Sequence, residues 1–94
     1  MKLDWDDWKN DSNKKKHGIS FQTASLVFDD PFQLMVFDRY VEGEERWQTI
    51  GMAGGLLLLL VVHTYEVEDG EEFGRLISAR EVVAEERKMY EANV

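Results

Sequence analysis

The run Ala53-Gly54-Gly55-Leu56-Leu57-Leu58-Leu59-Leu60-Val61-Val62-His63-Thr64-Tyr65 is where the chain commits its apolar side chains most heavily. From Leu56 to Val62 there is no polar side chain at all, the pattern of a central strand covered on both faces. Ala53-Gly54-Gly55 supplies a hairpin turn into it. The uncharged run from Ile50 to Val62 is thirteen residues long and broken by glycine, well short of the roughly 20 apolar residues a helix needs to span a bilayer. No membrane anchor is expected from it.

Working outward, Gln33 to Val41 and Arg46 to Met52 alternate and are rich in strand-forming side chains, hinged at Glu42-Gly43-Glu44. On the other side, Glu68-Asp69-Gly70 is a turn signal that leads to a last strand from Phe73 to Ser78. Ser78-Ala79-Arg80-Glu81 has the spacing of a capping box and predicts that a C-terminal helix starts there, with Ala79, Val82, Val83 and Tyr90 as its apolar stripe. At the N-terminus, Leu3 and Trp5 suggest a very short strand. Asp6 to Lys16 suggests a polar helix with acids first and lysines last, as its dipole favours, stopped at His17-Gly18. Ser20 is a good N-cap for a second helix carrying Phe21, Ala24, Val27 and Phe28, terminated by Asp29-Asp30-Pro31. The expected architecture is a single α+β domain over residues 1–94: a four-stranded antiparallel meander with two N-terminal helices and one C-terminal helix. Helices would cover one sheet face and leave part of the other open to a ligand.

With 94 residues and 44% hydrophobic side chains the chain can close a modest core. It has no cysteine, which excludes disulfides and thiolate zinc sites and suits the reducing cytosol. The N-terminus lacks the apolar stretch of a secretory signal, so a cytoplasmic location is expected. The net charge of −8 sits in the middle of the chain: residues 18–74 hold two arginines against eleven acids, while both flanks are nearly balanced. That balance argues against broad, non-specific binding of nucleic acid, which usually needs a basic face, but leaves room for a small basic site.

Four groups of residues could carry chemistry. His63 follows the buried run and shares a strand face with Tyr65; a histidine there can exchange a proton near neutral pH, or it can simply be a satisfied histidine at a strand end. Arg80, placed by the capping box in a helix's first turn, would oppose the dipole unless it faces a phosphate or a neighbouring carboxylate. Glu86 interrupts the last helix's apolar stripe, as a carboxylate holding an arginine would, or as an exposed edge of the stripe would equally well. Arg75, five residues before Arg80, would face the other way in a regular strand, unless the helix start turns Arg80 around. Lys14, Lys15 and Lys16 could catch a phosphate backbone or merely close a helix. The acidic turns at Glu42 to Glu45 and Glu66 to Glu72 read as solvated hairpins or as landing ground for a basic partner. With only two histidines, far apart, no metal site is expected, and no cofactor motif is present.

The order of segments resembles one family. It runs from Trp5-Asp6, Lys9-Asn10, Asn13 and Lys16-His17-Gly18 through Ser20-Phe21 and Val27-Phe28-Asp29-Asp30-Pro31. Phe37-Asp38-Arg39, Gly43-Glu44-Glu45-Arg46-Trp47, Thr49-Ile50-Gly51 and Val61-Val62-His63-Thr64-Tyr65 follow. Arg75-Leu76-Ile77-Ser78-Ala79-Arg80, Glu86-Arg87 and Tyr90 complete it. By these segments the chain resembles the BrnT toxins of type II toxin–antitoxin pairs. The resemblance implies a RelE-like ribonuclease fold, RNA cleavage that inhibits translation and growth, and neutralisation by a BrnA-like antitoxin. That antitoxin would carry a ribbon–helix–helix DNA-binding domain, so that operator DNA is met only indirectly. It directs attention to Arg46, His63, Arg75 and Arg80. The corresponding mechanism is metal-independent attack of an RNA 2′-hydroxyl on its own phosphodiester, with His63 exchanging the proton and Arg80 and Arg46 stabilising the extra charge. Arg75, Tyr65 and the three lysines would position the strand. The rival reading is a non-catalytic homologue that binds the antitoxin and so tunes operon repression.

Overall fold

The computed structural model describes residues 1–94. Its strands are β1 (Lys2–Asp4), β2 (Leu34–Val41), β3 (Glu44–Ala53), β4 (Leu57–His63), β5 (Glu66–Glu68) and β6 (Glu71–Glu81); its helices are α1 (Asp7–His17), α2 (Phe21–Ala24) and α3 (Ala84–Asn93). The expected α+β class stands, but the sheet has six strands in the order β1-β6-β4-β3-β2, with β5 also on β6. It is mixed rather than antiparallel throughout, because β1 runs parallel to β6. The second helix is a single α-turn, capped by Ser20 as expected, that continues as a 3-10 segment, Ser25–Asp29. No helix is long and apolar enough to cross a membrane.

The leucine run forms the middle strand, β4, between β3 and β6. Its alternate residues divide the core in two. Leu59 and Val61 face the N-terminal helical layer and pack with Phe21, Ala24, Val27, Leu76 and Ala79. Leu58 and Leu60 face the other way and meet Ile50 and Tyr90, the latter on α3. One face is therefore backed by α1, α2 and the 3-10 segment, and the opposite face is roofed only at one end, by α3. We refer to these as the helix face and the open face.

The helix expected from Ser78 starts later. Residues 78–81 remain in strand, because Ser78, Ala79, Arg80 and Glu81 pair with Val62, Val61, Leu60 and Leu59. Of the expected stripe only Tyr90 lies within α3; Ala79 belongs to the core of the helix face and Val83 is exposed. The N–H of Val83 is instead accepted by Glu86 Oε1 at 2.9 Å, so the carboxylate satisfies a free donor at the real helix start.

Two polar side chains finish the sheet where backbone would otherwise be left unpaired. On α1, which has almost no apolar surface, the buried Asn13 amide mimics a neighbouring strand. Its Nδ2 donates to the Ala79 carbonyl at 2.9 Å and its Oδ1 accepts from the Ala79 N–H at 3.0 Å. That side chain closes the free edge of β6 and docks the helix at once. Nearby, Asn10 Oδ1 accepts from the Phe21 N–H at 2.8 Å. On the opposite side of the sheet, Asp30 takes the N–H of Met52 at 2.8 Å, the N–H of Phe32 at 2.8 Å and the hydroxyl of Tyr90 at 2.6 Å. Burial raises the Asp30 carboxyl's pKa, but these three donors outweigh it and hold it below the ordinary value. The Tyr90 phenol is pushed up to about 12, by burial and then by the carboxylate it faces. The approach here is so close that a Cβ on Gly51 would lie 3.0 Å from the Val27 carbonyl oxygen and would press the 3-10 segment away from β3.

Removing the strand mimic leaves two buried backbone groups of Ala79 unpaired, at about 1–3 kcal/mol each when no partner replaces the lost one. Asn13→Ala is expected to lower the thermal midpoint by roughly 10–20 °C. A midpoint within 3 °C of wild type in a calorimetric scan would contradict the role given to this side chain.

Candidate functional site on the open sheet face

In a regular strand, side chains alternate between faces. Two β-bulges break that rule here, and both act on arginines. In β2 the register jumps between Phe37, opposite Trp47, and Arg39, opposite Arg46, leaving Asp38 as the extra residue. In β6 it jumps between Leu76, opposite His63, and Ser78, opposite Val62, leaving Ile77 as the extra residue. A bulge reverses the alternation beyond it. Arg39 thus shares the open face with Arg46 instead of lying with Phe37. Arg75 and Arg80, expected to face apart, lie on the same face after all.

The result is a row of side chains across the sheet. Arg46 lies directly opposite Arg39. Continuing the register one residue past the Trp47–His63 pair places Thr64 beside Arg46. Thr64 is bound to Arg75 through its N–H, donating to the Arg75 carbonyl at 3.0 Å, and through its Oγ1, accepting from the Arg75 N–H at 2.9 Å. Asp4 of β1 ends the row opposite Arg75. One step further along the strands come Val36, Gln48, Val62 and Ser78, and beyond them Leu60 and Arg80 at the foot of α3. From strand geometry, Arg46 and Arg80 stand roughly 16 Å apart, about 13 Å along the strands and about 10 Å across them. They line one surface but do not converge on one atom.

Each arginine has a carboxylate at hand. Arg80 is gripped by both oxygens of Glu86, 2.8 Å from each terminal nitrogen, which raises its pKa and lowers that of Glu86. The carboxylate expected to hold an arginine does hold Arg80, which itself sits in a strand rather than in a helix's first turn. Arg75 pairs with Asp4 on exposed surface, the exposed Arg39 pairs with the largely buried Asp38, and Arg46 Nη2 lies 3.1 Å from Glu44. The Nε of Arg46 is buried and has no acceptor. A cavity of about 420 Å³ opens beside this row, lined by Lys2, Asp4, Glu44, Thr64, Phe73 and Arg75 among others.

The remaining candidates lie elsewhere. His63 is fully buried on the helix face, edge-on to Phe28. Its Nδ1 is 2.7 Å from the Thr64 carbonyl, to which it donates. Its Nε2, 2.7 Å from Thr49 Oγ1, then accepts from that hydroxyl. Both nitrogens are engaged, and burial lowers the pKa against the smaller opposing pull of the Thr64 carbonyl. This is the satisfied strand-end histidine, turned away from the arginines. Tyr65 is also on the helix face, against Trp47, with its hydroxyl donating to Glu72. Lys14, Lys15 and Lys16 are exposed at the end of α1, with Lys14 3.8 Å from Asp11. No group of three His, Asp or Glu side chains is arranged to hold a metal ion. The residue missed in the sequence is Arg39. Its signal was available: Phe37 and Tyr40 are aromatic neighbours three positions apart, where a regular strand puts same-face neighbours two apart.

Fold and face together define a small α+β protein with helices backing one side of its sheet and arginines drawn onto the other. The chain matches, over residues 5–86, the family described as ribonuclease toxin, BrnT, of type II toxin–antitoxin systems, and it belongs to that family. The crystal structure of the Brucella abortus ribonuclease toxin BrnT is similar, with 25% sequence identity and a TM-score of 0.59 over 88% of this chain and 97% of that one. No curated protein matches the chain.

The buried neutral histidine links stability to pH. Its folded pKa lies below the unfolded value of about 6.5, so the unfolded chain binds the proton more readily. Its contribution is fully present above about pH 6.5 and is lost as pH falls from there through the folded value. The thermal midpoint is expected to drop between pH 7 and pH 5.5 in the wild type, and less steeply in His63→Gln. Equal slopes for the two proteins would show that this histidine titrates freely in the fold.

Proposed function

We propose that the chain is a toxin endoribonuclease that receives single-stranded RNA across the open sheet face. The observation that carries this reading is the pair of bulges that bring Arg39 and Arg75 onto the face that holds Arg46 and Arg80. Such a surface binds a phosphodiester chain, and RNA brings its own nucleophile. The 2′-hydroxyl gives its proton to water as its oxygen attacks the adjacent phosphorus, the bond to the 5′-oxygen breaks, and that oxygen takes a proton from water, leaving a 2′,3′-cyclic phosphate and a 5′-hydroxyl. No step requires a metal.

The protein's share is electrostatic. Charge builds on the phosphoryl oxygens in the transition state, where preorganised cations are worth most. Arg46 is the group we assign to those oxygens, since it stands in the middle of the row and its Nη2 is held by the half-exposed Glu44, which a phosphoryl oxygen can replace. Arg80, clamped against α3 by Glu86, is the fixed cation at the other end of the substrate. Arg39 and Arg75 are both more than half exposed, so a phosphate can displace the carboxylates that pair with them. The sealed His63 is assigned to holding Thr49 and the end of β4 in place, rather than to proton transfer. In the cytoplasm, cleavage would inhibit translation and arrest growth until a BrnA-like antitoxin with a ribbon–helix–helix domain binds.

The test is cleavage of a defined RNA in the presence of a chelator. Arg46→Ala is expected to lose about 10²–10³ in rate, the range for removing one preorganised donor at the reacting centre, and Arg80→Ala to cleave more slowly at limiting RNA through weaker binding. Undiminished cleavage by both variants would overturn the reading. Binding to an uncleavable 2′-O-methyl strand should weaken with salt at a log–log slope of about −2 to −3, the value for three to four phosphate contacts on a single strand. Glu44→Gln, which frees Arg46, should tighten that binding several-fold.

A further inference from the structure

The opposite side of the same sheet end carries a second surface. Tyr40, Phe37, Trp47 and Tyr65 form, in that order, a continuous row on the helix face, with ring centroids 5.1, 5.6 and 6.0 Å apart in successive contacts. Tyr40 is 65% exposed and Phe37 44%, although both could have been buried had the helical layer extended over them. The row is rimmed by carboxylates that touch it: Glu45 accepts from the Trp47 indole N–H at 3.2 Å, and Glu72 accepts from the Tyr65 hydroxyl. The hairpins that carry the row, residues 37–47 and 65–72, hold nine acids against two arginines, which is nearly all of the chain's net charge of −8.

Those two arginines are on the other face, as are Glu44, Glu66 and Glu68, and the charged side chains that touch the rings are the carboxylates Glu45 and Glu72. A phosphate backbone would be repelled there, so base stacking by RNA does not explain the row. A guanidinium fits all of it: it stacks flat on aromatic rings and forks onto carboxylates. The chain's own cations on aromatic rings, Lys2 on Phe73 and Lys9 on Trp8, are at other places. The row also begins on β2, the outermost strand, whose outward backbone groups have no strand partner. An extended segment running beside that edge could pair with it and present alternate side chains to the rings.

We propose that the row Phe37, Tyr40, Trp47 and Tyr65, with Glu45 and Glu72, is a docking surface for an arginine-bearing extended segment of a partner polypeptide. It does not depend on the RNA reading. Because it lies behind the arginine face, a segment bound there anchors a partner without filling the open face.

The test uses the full chain labelled with ¹⁵N and a capped twelve-residue peptide of alternating Arg and Ser, with a Lys–Ser peptide of equal charge as comparison. The arginine peptide should shift the Trp47 indole signal and leave those of Trp5 and Trp8 in place. Its Kd should rise at least fivefold in Tyr40→Ala, at least tenfold in the double variant Glu45→Gln, Glu72→Gln, and be at least fivefold weaker for the lysine peptide. An unmoved Trp47 signal, a Kd unchanged in Tyr40→Ala, or equal binding of the lysine peptide would each overturn the proposal. Tyr40→Ala should cleave RNA at the wild-type rate; a folded Tyr40→Ala that no longer cleaves would place the row in the RNA site and overturn the proposal as well.

Discussion

Strand alternation is the constraint on which this molecule turns. A strand must send successive side chains to opposite faces, and a sheet whose one face is packed against helices has no freedom to slip. The only local way to re-aim a side chain is to insert one residue. The chain does so twice, at Asp38 and at Ile77, and each insertion turns an arginine from the face it would otherwise take. The same bulge at Asp38 places Tyr40 beside Phe37, so a single extra residue builds both the arginine row on one face and the aromatic row on the other.

Bulged strands need their register pinned, and the polar core supplies the pins. Asn13 locks Ala79 two residues beyond one bulge. Asp30 fastens Met52 of β3 to the 3-10 segment and to Tyr90, so α3 is tied down over the same sheet whose open face it borders. Thr49 and His63 join β3 to β4 between the two bulges. Asn10, Asn13, Asp30, Gly51 and His63 are therefore architectural: they hold strands and helices at fixed distances, and the arginines inherit their positions from them.

Much of the frame could be read from the chain. The leucine run, the Gly18 stop, the Ser20 cap and the polar first helix all occur where local patterns put them, because each depends on its neighbours in sequence. Longer-range pairing was hidden. Ser78 to Glu81 has a sound capping pattern, yet it pairs with β4 and is clamped by Asn13, and tertiary pairing outweighs local propensity. The acidic stretch before Phe73 hides strand β5, whose three residues are all exposed and give no hydrophobic pattern. Among the site residues, the Glu86 grip on an arginine was legible from a carboxylate interrupting an apolar stripe. The shared face of Arg75 and Arg80 was not, since simple alternation predicts the opposite. His63 could be located but its role could not, because a buried and an exposed histidine look alike at the end of a strand.

The two faces at this end of the sheet differ in what they expose: the open face carries arginines, each beside a carboxylate, and the other carries aromatic rings with Glu45 and Glu72, and the proposal that RNA is received on the open face rests on those arginines. The most direct measurement of that claim is side-chain NMR of the arginine Nε–H groups during titration with an uncleavable 2′-O-methyl oligonucleotide. Shifts at Arg39, Arg46 and Arg80 that saturate together, with the Trp47 indole and the Lys14 to Lys16 amides unmoved, are the predicted result. Shifts confined to Trp47 or to the lysines, with the arginine signals unchanged, would contradict it.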